Sequence, residues 1–253
     1  MSRKAFSTAK MIPLLLHTAR EAGALIMGYY GTGHAVDRKG DNSPVTEADR
    51  AADRLIVQQL EALAPDIAIV SEEGQKPDVG GHEHFWLVDP LDGTKSFIRG
   101  TGYFTVNIGL IEQGQPILGI VYDPVHKLMY WGSEAGAFIA QDKQAEKPMH
   151  ARTPNSAPSA YISHSHINQA TQDYLTAHGI GERIPCASSI KFCFLAEGKA
   201  DFYPRFGPTM EWDTAAGHAV LAAAGGKIVT PEGAPLRYGK EGFLNGNFIA
   251  SGK

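Results

Sequence analysis

Residues 89–94 read Asp-Pro-Leu-Asp-Gly-Thr and follow the apolar run Phe85-Trp86-Leu87-Val88. The run has the character of a strand, which puts Asp89 at a strand end and Asp92 on a turn made by Pro90 and Gly93. Two carboxylates three residues apart, with the chain turned between them, converge on one point. Carboxylate oxygens converging without Cys or a paired His suit a hard divalent cation, above all Mg²⁺. Gly93 and Thr94 add backbone N–H groups and a hydroxyl beside that cation, which are the donors a phosphate oxygen requires. The chemistry expected of this segment is metal-assisted handling of a phosphate.

Further acids fall at the ends of other elements. Asp49 lies in the first turn of a helix starting at Thr46, Glu72 follows the short strand Ile67–Val70, and Asp213 opens the small-residue segment Asp213-Thr214-Ala215-Ala216-Gly217. Taken singly, each has a plain explanation: Asp49 completes a capping box with Thr46, Asp213 is an N-cap, and Glu72 with Glu73 is a solvated pair. Other chemistries fit worse. Asp89 and Asp92 have two residues between them, not the single residue of a phosphoaspartate enzyme. Gly31-x-Gly33 follows a helix and lacks the third glycine of a dinucleotide loop, and Gly93-Thr94-Lys95-Ser96 lacks the upstream glycine of a P-loop. His82-x-His84 and His164-x-His166 have no third ligand nearby to make a zinc site.

The elements that must position these residues fall into two stretches. Helical periodicity covers residues 12–30 and 46–64, with Pro65 as a stop. Tyr103–Ile111, Ile117–Tyr122 and Leu128–Trp131 read as an antiparallel meander, the first two joined by a turn containing Gly114 and Pro116. Residues 141–158 are polar and proline-bearing, and beyond them strands alternate with helices near 168–178 and 213–224, with a further segment near 189–197 between them. The expected fold is an α+β then α/β layered sandwich of helix and sheet layers, with an N-terminal unit over 1–150 and a C-terminal unit over 151–253. At 253 residues, with a formal charge of −4 and a pI near 6.2, the chain does not suit polymeric nucleic acid or an anionic membrane as partner. Two cysteines, Cys186 and Cys193, are too few for a disulfide framework and fit a reducing cytoplasm. Basic residues before Met11–Leu16 lead into no cleavage-like site, and no stretch approaches a membrane span, so neither a secretory leader nor integral membrane association is expected.

Four blocks in order, Pro-Val-Thr-Glu-Ala-Asp at 44–49, Ser-Glu-Glu at 71–73, Asp-Pro-Leu-Asp-Gly-Thr at 89–94 and Trp-Asp-Thr-Ala-Ala-Gly at 212–217, resemble the signatures of the inositol monophosphatase superfamily of lithium-sensitive phosphatases. Within it, the Lys95 that follows Gly-Thr, Ser163-His-Ser-His166, Ser188-Ser-Ile-Lys-Phe-Cys193 and Tyr203-Pro-Arg-Phe-Gly-Pro-Thr209 resemble the CysQ-type 3′(2′),5′-bisphosphate nucleotidases. Ser96 departs from that pattern, where Glu is frequent. The resemblance implies a sugar-phosphatase-like fold and two or three Mg²⁺ held by Glu72, Asp89, the Leu91 carbonyl, Asp92 and Asp213. It implies Asp49 and Thr94 as the dyad that orients and deprotonates the attacking water, with Glu72 also catalytic, and the Gly93 and Thr94 amides on the phosphate. It assigns the remaining substrate contacts to Lys191, Ser188, Arg205 and His166. The activity implied is removal of the 3′-phosphate from adenosine 3′,5′-bisphosphate in sulfate assimilation, extending to the 2′,5′ isomer and the 3′-phosphorylated sulfate donor, with inhibition by Li⁺ or Ca²⁺. Inositol-1-phosphate or sugar-phosphate hydrolysis at the same centre is the alternative among enzymes. A non-catalytic partnership with the transcription machinery is the alternative outside them. The implied setting is the cytoplasm, with peripheral association on the inner face of its membrane as a further option.

Overall fold

The structure, a computed structural model, describes residues 8–31, 36–38, 44–142, 144–163 and 167–253. Helix α1 (Ile12–Tyr29) leads to a small antiparallel pair, β1 (Val36–Arg38) and β2 (Pro44–Thr46), and then to α2 (Glu47–Leu63). The main sheet follows: β3 (Ala68–Ser71), β4 (His84–Asp92), β5 (Thr105–Glu112), β6 (Gln115–Asp123), β7 (Leu128–Ser133), β8 (Gly136–Gln141) and β9 (Lys147–Met149), with the short α3 (Thr94–Arg99) after β4. These seven strands lie in chain order, antiparallel except for the parallel pair β3–β4. The chain then builds β10 (Ser159–Ser163), α4 (Gln169–Ala177), β11 (Glu182–Cys186), α5 (Ile190–Ala196), β12 (Phe202–Arg205), β13 (Thr209–Met210), α6 (Ala215–Ala223), β14 (Lys227–Val229), β15 (Leu244–Asn245) and β16 (Phe248–Ser251). A second sheet has the order β11-β10-β12-β16-β14, and β13 pairs with β15 beside it. Among the described residues no helix is long and apolar enough to cross a membrane.

Alternation along the strands explains the layering. On β5, Val106, Ile108 and Leu110 pack with Trp86, Leu118 and Ile120 against the buried stripes Leu15-Ala19-Ala22-Ile26 of α1 and Ala48-Ala52-Ile56-Leu60 of α2. The opposite face of the sheet receives α5 and α6, which separate it from the second sheet. Leu175 of α4 and Ile180 close the outer face of that sheet over Ala160 and Ile162. The layers therefore run helix, sheet, helix, sheet, helix, which is the layered sandwich of mixed α and β structure expected from the sequence.

One contact in this stack is unusually close. Gly109, Gly119 and Gly132 are cross-strand partners on β5, β6 and β7. A Cβ at Gly119 would lie 2.1 Å from the Ala216 carbonyl oxygen, and one at Gly132 would lie 2.6 Å from the Val220 Cα. The three glycines form a seat in which the backbone of α6 rests on the sheet. A Cβ on Gly217 would in turn stand 2.5 Å from the Phe192 ring, so α6 meets α5 just as tightly.

Two expectations from the sequence need correction. β4 does not end at Val88: it continues to Asp92, with Asp89 opposite Asn107 and Asp92 opposite Thr105. Three residue steps on β4 span two on β5, which is a one-residue bulge. Pro90, with no N–H for the ladder, is tolerated there. Likewise Pro116 lies inside β6 at a register shift rather than in the preceding turn, which Gln113 and Gly114 make with positive φ. Strands β8, β9 and β11 went unread because they are short and partly exposed.

Candidate active site

The β4 bulge gathers the first acids. The Asp89 carboxylate accepts the Leu91 N–H at 3.0 Å and is 1% exposed. Gly93, at φ 96° and ψ 33°, turns the chain into α3, and a Cβ there would come within 2.9 Å of the Tyr103 carbonyl oxygen. This turn sets Thr94 at the first helical position, where its Oγ1 lies 3.1 Å from Asp49 Oδ1 and 3.2 Å from the Leu91 carbonyl. Asp49 does make the N-terminal contacts of α2, accepting from the Thr46 N–H at 2.8 Å and the Thr46 hydroxyl at 2.5 Å. The capping role therefore uses Oδ2 and leaves Oδ1 to Thr94. Burial pushes the Asp49 carboxyl up, and the hydrogen bonds from Thr46 and Thr94 only partly offset it.

Asp213 sits in the one-turn 3₁₀ helix Glu211–Asp213, directly ahead of α6, and accepts the Met210 N–H at 2.8 Å. The glycine seat under α6 thus fixes how far this carboxylate stands from the β4 bulge. Glu72 leaves the end of β3, its N–H bonded to the Val88 carbonyl at 3.0 Å. Burial, reinforced by the charges of Glu72, Asp92 and Asp213, holds the Asp89 carboxyl well above the ordinary carboxylate range. Asp213 is raised strongly for the same reasons, burial first and then Asp92 and Glu72. Burial also raises Asp92, against the opposing pull of Lys191 and the Ser189 N–H. Among the described residues no three His, Cys, Asp or Glu side chains close into a tight cage. The set is instead an open array of hard oxygen donors whose mutual repulsion a cation would relieve. Mg²⁺ fits such an array, because it keeps several waters and takes only one or two carboxylates per ion beside a substrate phosphate.

The opposite wall comes from the second half of the chain. Ser188 has φ 56°, unusual for a side chain other than glycine, at the corner leading into α5. The Lys191 ammonium is 3% exposed and donates to the Cys186 carbonyl at 3.3 Å and to the Ser188 carbonyl, with the Tyr203 ring 4.9 Å away. Burial lowers its pKa, while Cys186 and Asp92 pull it back in part. Arg205, at the end of β12, donates to the Pro208 carbonyl at 3.0 Å, and its buried Nε has no hydrogen-bond partner among the described residues. One cleft of about 280 Å³ is lined by Glu72, Asp92, Gly93, Thr94, Ser188, Lys191, Arg205 and Asp213 together. Asp49, Asp89 and Leu91 are not on its surface: they lie buried behind the wall, Asp49 touching Thr94, and Leu91 in the core with only its carbonyl turned to Thr94. His166 lies outside the described residues.

The cleft also holds Tyr203, Thr209 and Ser189, which the sequence reading quoted within longer motifs but did not assign as site residues. Ser189 is tied to Thr105 and Asn107, both 1% exposed. Their signal was present: two polar residues at alternating positions of an otherwise apolar strand, on the side that faces α5 and α6.

With this geometry in hand, the class is clear. The inositol monophosphatase family model matches residues 8–252, and the chain belongs to that family. The chain is 46% identical over 246 residues to the 3′(2′),5′-bisphosphate nucleotidase CysQ of Escherichia coli K12, covering 95% of this chain and 99% of that one. It is 45% identical to the Salmonella typhimurium protein of the same name, covering 94% and 98% of the two chains. The crystal structure of CysQ from Bacteroides thetaiotaomicron superimposes with a TM-score of 0.82 at 39% identity, covering 93% of this chain and 94% of that one.

Proposed function

We propose that this chain is a Mg²⁺-dependent phosphatase that removes the 3′-phosphate from adenosine 3′,5′-bisphosphate, giving AMP and phosphate, and that it accepts the 2′,5′ isomer and the 3′-phosphorylated sulfate donor. The observation that carries the reading is the single cleft in which the acid array and Thr94 face two buried cations, Lys191 and Arg205. A substrate with a phosphate to lose and a second to keep needs both walls, whereas a monophosphate needs only the first. The nucleotidase names of the sequence relatives support the same choice.

In this reading Glu72, Asp89, Asp92, Asp213 and the Leu91 carbonyl would hold two or three Mg²⁺, whose chemistry there would be charge neutralisation on the transferring phosphate and a lower pKa for the attacking water. Thr94 Oγ1, with its hydrogen directed to Asp49 Oδ1, turns a lone pair toward that water and fixes its line of attack. The proton passes by way of Thr94 to Asp49, whose raised pKa suits it to accept one. The N–H groups of Gly93 and Thr94 hold the equatorial oxygens, and no side chain is phosphorylated. Lys191 retains the uncleaved phosphate, Ser188 and Arg205 add donors or stacking, and His166 is assigned to the adenine or its phosphate. Residues 1–150 would then supply the hydrolytic apparatus, and 151–253 would supply recognition together with Asp213. The setting is a reducing cytoplasm, in which Cys186 and Cys193 stay as buried free thiols.

The test is phosphate release from adenosine 3′,5′-bisphosphate, inositol-1-phosphate and fructose 1,6-bisphosphate, with Mg²⁺, with EDTA and with added Li⁺. Preference for the nucleotide, lost with EDTA, is the expected result. Preference for inositol-1-phosphate would overturn the roles given to Lys191 and Ser188 while keeping the phosphatase.

A further inference from the structure

Three buried polar side chains beside the cleft form a closed ring. Ser189 Oγ donates to Asn107 Oδ1 at 2.6 Å, which commits its only hydrogen. Thr105 must then be the donor in its 2.9 Å contact with Ser189 Oγ, and Asn107 Nδ2 donates to Thr105 Oγ1 at 3.3 Å. Every hydroxyl gives once and receives once. Such rings reinforce themselves in a low dielectric, and losing one member strands the others. All three side chains are buried, at 1–2% exposure, with Ser189 at the border of the cleft.

The ring joins the two walls. Thr105 and Asn107 stand opposite Asp92 and Asp89 in the β4–β5 ladder, so the bulge and the ring share a backbone frame. Ser189 belongs to the other half of the chain, and its N–H donates to Asp92 Oδ2. The preceding residue is the strained Ser188, whose carbonyl, with that of Cys186, receives the Lys191 ammonium. A left-handed corner at a non-glycine residue persists only where its surroundings hold it. Here Lys191 grips the corner from one side and the ring anchors it from the other.

We propose that Thr105, Asn107 and Ser189 are positioning residues that set the second-phosphate subsite at a fixed distance from the acid array, and that preference for a bisphosphate over a monophosphate depends on this ring. The inference rests on the bisphosphate reading above and deepens it. None of the three need touch the substrate: they act through Ser188, Lys191 and Asp92.

The experiment compares kcat and KM for adenosine 3′,5′-bisphosphate and inositol-1-phosphate in the wild-type chain, Ser189→Ala, Thr105→Val, Thr105→Ser and the Ser189→Ala/Thr105→Val double variant. Thermal unfolding is recorded for each. Ser189→Ala and Thr105→Val are expected to lower the bisphosphate-to-monophosphate preference about tenfold, mainly through KM for the bisphosphate. Thr105→Ser, which keeps the hydroxyl, should retain the preference within about twofold, and the double variant should lose little more than either single one. Equal losses on both substrates would make the ring merely structural, and an unchanged preference in Thr105→Val would overturn the proposal even if Ser189→Ala failed to fold. The wild-type preference tests the bisphosphate reading separately, so the two failures are told apart.

Discussion

Asp89 and Asp201 are aspartates with almost no exposed surface, 1% and 0%, yet their carboxyls are driven in opposite directions. At Asp201 burial opposes the charge, but two 2.8 Å hydrogen bonds from Arg152 and the N–H groups of Ser159 and Asn155 outweigh it and lower the pKa. At Asp89 burial meets the charges of three further acids, Glu72, Asp92 and Asp213, and the pKa rises well above its usual range. The first carboxylate is fully satisfied by its own chain and ties β10 to β12. The second set is left repelling itself, which costs stability and produces a demand for external positive charge. An acid held by cations of its own chain builds the fold, and a group of acids crowded against one another is built for a ligand.

Substitutions should separate the two kinds sharply. Asp89→Asn is expected to reduce phosphate release by about 10³-fold or more. In EDTA the same variant should unfold at equal or higher urea concentration, because a repelling charge has gone; a clear loss of stability there would break the contrast. Thr94→Val, which removes the hydroxyl on Asp49 but nearly keeps the shape, should lower kcat by about 10²–10³-fold with little change in KM. Arg152→Met acts the other way. It leaves Asp201 buried and charged, and should lower unfolding free energy by about 3 kcal/mol while kcat stays within about twofold. Urea titration and kinetics on one preparation would check both halves.

His218 is a third case, a buried base kept neutral beside the Tyr238 hydroxyl at 3.0 Å. Burial pulls its pKa from 6.5 down to about 4. The folded chain refuses a proton that the unfolded chain accepts, so stability is intact above about pH 6.5 and declines as pH falls toward 4. The loss attributable to His218 should approach about 3 kcal/mol over that window, or less where the fold relaxes. His218→Gln should remove that part of the slope in urea midpoints measured from pH 7.5 to 4.5, and an unchanged slope would exclude the neutral assignment.

Much of the cleft was legible because its residues sit in short local patterns. Asp89, Asp92, Gly93 and Thr94 lie within one hexapeptide, and the helices around them announce themselves by periodicity. The bulge was not legible: whether Asp-Pro-Leu-Asp is a turn or a strand defect depends on Thr105 and Asn107, which lie on the next strand. Ser189 is 84 residues from Thr105 and 82 from Asn107, so no local window could pair them. The Arg152–Asp201 pair spans 49 residues and lay equally out of reach. What sequence spacing conveys is chemistry carried by neighbours along the chain; what it omits is partnership made by folding.

The three glycines under α6 have no chemistry of their own, yet they act as the shim that sets the height of one carboxylate. A methyl group on Gly119 would have to displace the Ala216 carbonyl, which is backbone and cannot rotate aside as a side chain could. The helix would lift, carrying Asp213 with it. Damage at the middle of the sheet would therefore present itself in an assay as a fault in the cleft, and tolerance at these three positions is governed by an alignment requirement rather than by the packing of a core.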